Sequence, residues 1–67
     1  MTLFSLVRAL KLNNNEQIIL YSLVSQTETT IWTGNIDEIP IIYADAPILS
    51  NGVYADSNGV IHAGLIV

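Results

Sequence analysis

Residues 17–25 read Gln-Ile-Ile-Leu-Tyr-Ser-Leu-Val-Ser, and this stretch decides the fold. Ile19, Tyr21 and Leu23 alternate with Ile18, Leu20 and Val24. In a strand, successive side chains point to opposite faces, so a period of two predicts a strand here. Both sets are apolar, which marks a central strand covered on both sides. One helix can cover only one of those faces. The other needs the rest of the chain or a second copy of it.

Upstream, the spacing predicts a helix over residues 2–12. Leu3, Leu6, Val7 and Leu10 fall at i, i+3, i+4 and i+7, which gathers them into one apolar stripe. Thr2 can cap the start. Phe4, Arg8 and Lys11 share a flank, with both cations expected in the last turn, where the helix dipole favours them. Asn13-Asn14-Asn15 is the expected exit, because asparagine tolerates left-handed backbone.

Downstream, the β-branched and aromatic run 29–33 predicts a second strand, joined to the first by a hairpin loop at Ser25–Glu28. Gly34 ends it. Asn35-Ile36-Asp37-Glu38 reads as a capped helix start, and Pro40 limits that helix to about one turn. Residues 41–43 and 47–49 are apolar pieces around Ala44-Asp45-Ala46, compatible with short strands or an irregular crossing. Residues 52–55 and 60–67 flank Asp56-Ser57-Asn58-Gly59, a strong hairpin signal. In the last strand Ile61, Ala63, Leu65 and Val67 share one face, and Val60, His62, Gly64 and Ile66 the other. Were this strand at the sheet edge, it would need another chain to pair with it. The predicted class is α+β: one amino-terminal helix and two hairpins in one mostly antiparallel sheet, with a one-turn helix near 36–39. All of it forms a single small domain, 1–67.

Composition restricts the function. The chain is 51% apolar and only 12% charged, so a small monomer would expose apolar surface, and self-association or an obligate partner is expected. There is no cysteine, which removes disulfides and most zinc sites. No run is long and apolar enough for a membrane-spanning helix, and Arg8 interrupts the amino-terminal apolar run, so neither a membrane anchor nor a signal peptide is expected.

Arg8 and Lys11 are the only cationic side chains, against Glu16, Glu28, Asp37, Glu38, Asp45 and Asp56, giving a net charge of −4. Phosphate backbones need several Lys or Arg, so direct nucleic-acid binding is disfavoured, while a basic protein surface is a fitting partner. His62 has no orienting partner visible in the sequence and no cysteine accompanies it, which argues against an enzyme. Asp56–Gly59 is a turn rather than a calcium loop, since position twelve counted from Asp56 is Val67 rather than glutamate. No cofactor or metal is expected. The candidate partner-binding residues are Trp32, Tyr43 and Tyr54, as aromatics that are either core or interface, with Asp37, Glu38, Asp45 and Asp56 as anionic contacts.

The Leu-rich first helix, Ile18–Tyr21, the run Ile31-Trp32-Thr33-Gly34 leading into Glu38-Ile39-Pro40, and the closing apolar strand together resemble the very small acidic proteins of phages and prophages of Gram-positive bacteria. That resemblance implies a non-enzymatic inhibitor of host defence, of the kind that includes anti-CRISPR proteins, acting in the cytoplasm of an infected or lysogenic bacterium. It carries over no functional residue. Two alternatives stand beside it: an oligomer that sequesters a nucleotide, with Arg8 and Lys11 lining the pocket, and a structural or assembly subunit.

Overall fold

The computed structural model describes residues 1–67. Helix α1 spans Leu3–Ala9 and strand β1 spans Gln17–Val24. Strand β2 (Thr27–Asn35) is followed by a 3-10 turn (Ile36–Glu38) and a single helical turn, α2 (Ile41–Ala44). Strands β3 (Ile48–Ala55) and β4 (Ile61–Leu65) complete the α+β domain. The predicted class holds: both hairpins form, and all four strands join one sheet in the order β2-β1-β4-β3.

The closing strand is not at the edge. β4 lies in the middle, parallel to β1 and antiparallel to β3, with Ile18 beside Ile61 and Leu20 beside Ala63. Directly paired residues present their side chains on the same face. Ile18, Leu20, Ile61, Ala63 and Leu65 therefore form one apolar surface, and α1 lays Leu3 and Leu6 on it. Leu3, Ile18, Leu20 and Ala63 have no solvent exposure at all. The segment from Ile36 to Ala46 crosses over the same side and adds both of those residues to the core. Each fully buried Leu or Ile contributes about 1.5–3 kcal/mol. Few side chains supply this term, so the fold tolerates little loss.

The helix is shorter than residues 2–12. Thr2 caps it as expected, its hydroxyl accepting from the Ser5 amide at 3.3 Å. At the other end the left-handed residue is Lys11 (φ 53°) rather than an asparagine. The Lys11 amide donates to the Arg8 carbonyl and the Leu12 amide to the Val7 carbonyl, the paired bonds of a Schellman motif. Burying Leu12 against the core beside Val7 drives the chain to turn here, before the asparagines. Only Arg8 is left in the last turn.

The asparagine run has a different task. The Asn14 carbonyl accepts from the Asp37 amide at 3.0 Å and the Glu16 carbonyl from the Ile36 amide at 2.9 Å. These bonds fix the 3-10 turn. The expected Asn35 side-chain cap is absent.

The first hairpin is tighter than expected, with Ser25 and Gln26 as its two loop residues, both at positive φ (50° and 64°), as a type I′ turn requires. The second has a three-residue loop with Gly59 at φ 82°. Residues 48–49 and 52–55 are not separate pieces. They belong to β3, interrupted where Leu49, Ser50, Asn51 and Gly52 all stand opposite Gly64 alone, while Pro47 just before it bridges to Thr2.

An L-residue in left-handed backbone costs roughly 1–2 kcal/mol that glycine avoids, less its extra unfolded-state freedom. Lys11→Gly is therefore expected to raise unfolding stability by about 1 kcal/mol, measured by denaturant titration. A loss of stability would contradict the helix exit described.

Candidate functional site

The face of the sheet away from α1 carries no helix. Ile19, Tyr21, Thr30, Thr33, Tyr54, His62 and Gly64 point to it, as do Leu23 and Glu28 near the first hairpin. Its centre is closed by Tyr21, which is 5% exposed. Gly64 makes this possible, since a Cβ there would meet the Tyr21 ring and Leu49 at 2.8 Å. The Tyr21 hydroxyl donates to the Gly52 carbonyl at 2.6 Å, reaching over β4 to the irregular part of β3. Burial, then the charge of Glu28, pushes its pKa up.

Tyr54 lies over this arrangement. Its ring stacks on His62, with centroids 4.6 Å apart and planes 14° from parallel, and tilts against Tyr21 at 6.1 Å. Its hydroxyl donates to Glu28 Oε1 at 2.7 Å. Because β3 and β2 are opposite edges of the sheet, this bond straps the bare face from one side to the other. Accepting that bond, Glu28 holds the phenol neutral and pushes its pKa up to about 12.

Asp56 completes the cluster. Its Oδ1 accepts from the Asn58 and Val60 amides at 2.9 and 3.0 Å, and its Oδ2 lies 2.9 Å from His62 Nε2. The bond to His62, then those to the amides, holds its carboxyl below the usual carboxylate range. So His62 does have an orienting partner, which the sequence did not reveal. An imidazole held by a carboxylate can exchange a proton. However, neither of the two surface depressions includes His62, Asp56 or Tyr54, so no enclosure for a substrate stands beside the pair.

The expected partner-binding residues do not form one patch. Tyr54 and Asp56 are on the bare face, Tyr54 being partly exposed, but the Asp56 carboxylate is committed to its own hairpin. Trp32 sits on edge strand β2 facing the helix side, half-buried against the core with its ring over Gly34. Tyr43 is also half-buried against the core. Asp37, Glu38 and Asp45 are exposed on the crossing segment.

No family model, curated protein or solved structure matches this chain. Its surface must therefore be interpreted on its own chemistry.

The six carboxylates divide into two groups. Glu16 accepts from the Asn13 side chain, Glu28 from Tyr54, and Asp56 from its loop and His62. Asp37, Glu38 and Asp45 have no side-chain bond, and no Lys or Arg side chain pairs with a carboxylate anywhere in the chain. These three free acids flank Ile41 and Ile42, which are 87% and 76% exposed, the two most exposed large apolar side chains. Pro40 starts a helical turn too short to bury both, so the isoleucines project from it. Beside this knob, between α1 and the 3-10 turn, lies a groove of about 320 Å³. Phe4, Val7, Ile36 and Ile39 make its apolar wall, and Arg8, Asn14 and Asp37 its polar one. No helix is long and apolar enough to cross a membrane.

The acids were among the expected contacts and the isoleucine knob was not, although Ile39–Ile42 with a proline inside is a plain signal for apolar side chains in a turn too short to hide them.

The phenol and carboxyl shifts make opposite predictions for pH. Tyr54 has a raised folded pKa, so its bond stabilises the fold fully below its ordinary value of 10.0 and is lost as pH rises through about 12. Ultraviolet titration should place one tyrosine near pH 12, and Glu28→Gln should bring it down. Asp56 has a lowered folded pKa, so its contribution is present above the ordinary carboxylate pKa and is lost as pH falls through the lower folded value. Denaturation midpoints followed into acid should show that loss, and Asp56→Asn should remove that part of the slope.

Proposed function

We propose that this protein is a non-enzymatic, protein-binding inhibitor that engages a basic surface of another protein through the segment 36–45. The observation that carries the reading is the division of its carboxylates. Every acid outside that segment is occupied within the chain, whereas Asp37, Glu38 and Asp45 are free, exposed and within five residues of two exposed isoleucines. An exposed apolar knob flanked along the chain by free carboxylates fits a partner with an apolar depression rimmed by Lys and Arg. Burying the isoleucines supplies affinity, and the carboxylates supply orientation and encounter rate.

A nucleic-acid-processing or host-defence protein has such a basic surface, because it must hold a phosphate backbone. Occupying that surface blocks the nucleic acid without chemistry. The resemblance to small acidic phage proteins agrees with this role and with action in the cytoplasm of an infected bacterium.

Sequestering a nucleotide draws less support. Arg8 lines the groove but Lys11 does not, and Asp37 on the same wall would repel a phosphate.

The test is capture from a bacterial lysate with the native chain as bait. The captured protein should be basic, and raising salt from about 0.1 M to about 1 M should weaken the complex, as the screening length falls from ~10 Å to ~3 Å. Converting Asp37, Glu38 and Asp45 together to Asn, Gln and Asn should cost about tenfold in affinity, at roughly 0.5 kcal/mol for each exposed charge. Affinity indifferent to both changes would sink the proposal.

A further inference from the structure

We infer that the same knob and groove also pair two copies of this chain about a two-fold axis. The knob of each copy, Ile41 and Ile42, enters the apolar groove of the other, between Phe4, Val7 and Ile39. Ile39 lines the groove, Ile41 lies two residues beyond it, and α2 packs beside α1, whose residues form the groove's other wall, so knob and groove are neighbours. A two-fold interface needs that arrangement, because one patch must complement itself.

Charge selects the second copy as the occupant. Arg8 and Lys11 are exposed and have no partner within the chain. They are the only cationic side chains, and Arg8 stands on the groove wall. The free acids Asp37, Glu38 and Asp45 are on the segment that forms the knob and borders the groove. All the unpaired charged side chains thus belong to the helix layer, with both signs present. On the opposite face, the charges of Glu28 and Asp56 are already engaged. When a knob enters the groove of another copy, its flanking acids approach Arg8 on the groove wall, with Lys11 three residues further along the chain. Each copy thereby covers the two most exposed apolar side chains of the other.

This pairing does not depend on the basic partner proposed above, but it would compete with it. Each copy offers only two cations for three free acids. A more basic protein offers more positive charge to the same knob and displaces the second copy. The dimer is then a resting form that hides the isoleucines until the partner arrives.

Sedimentation equilibrium of the native chain over a dilution series should show a reversible monomer–dimer exchange. Ile41→Ser with Ile42→Ser should weaken the dimer at least tenfold. These side chains are too exposed for their loss to unfold the monomer, which far-ultraviolet circular dichroism verifies. Arg8→Glu alone, and Asp37→Lys with Glu38→Lys, should each weaken it. An equimolar mixture of those two variants should restore a heterodimer. Two acid-to-lysine changes bring the net charge of −4 to neutral, so bulk attraction would not drive the mixing. A native chain that stays monomeric at every concentration overturns the inference, as does a dimer indifferent to these substitutions or a mixture that forms no heterodimer. Lysate capture by the monomer would be unaffected by any of those outcomes, so the two proposals fail separately.

Discussion

Gly64 has no side chain, and the second face of the sheet is arranged around the gap it leaves. Tyr21 lies across β4 at that point and reaches the Gly52 carbonyl, while Leu49 packs from the other side. The irregularity of β3 follows from this contact, since four of its residues are needed to bring Leu49 and Gly52 over one position of β4. Tyr54 can then rest on Tyr21 and extend to Glu28. A methyl group at residue 64 would force the ends of the Tyr21 and Leu49 side chains to shift and would disturb the bond to Gly52. A chain with one short helix thus closes its second face with aromatic side chains of the sheet itself.

Much of the fold was legible because it is local. The period of two in Gln17–Val24, the apolar stripe of α1 and the turn before Val60 are properties of neighbouring residues. The placement of β4 was not legible. Nothing near Ile61 announces that it pairs with Ile18, and an apolar strand reads the same in the middle of a sheet as at its edge. Lys11 in left-handed backbone was hidden for a related reason: burial of Leu12 overrides the local preference for Asn or Gly.

The candidate site was half legible. Composition alone showed that acids outnumber bases. It could not show which acids are free, because the partners of Glu28 and Asp56 come from strand order and hairpin register. Asp56 looked available and is not. Asp37, Glu38 and Asp45 looked similar to it and remain open. The division turns an overall acidity into a local one, confined to ten residues that also expose Ile41 and Ile42.

The parallel pairing of β1 with β4 has a consequence for the order of events in a growing chain. β4 is made after every other strand, yet it occupies the middle of the sheet. Until it arrives, the β1–β2 hairpin has an unfilled inner edge and α1 has only half of its apolar floor. The nascent protein cannot settle gradually from its amino terminus, and closing so long a loop is slow compared with forming the hairpins. In that interval Ile18 and Leu20 remain accessible to other unfinished chains. The completed sheet conceals β1, the strand most at risk during synthesis, and the time spent waiting for β4 sets how long that risk lasts.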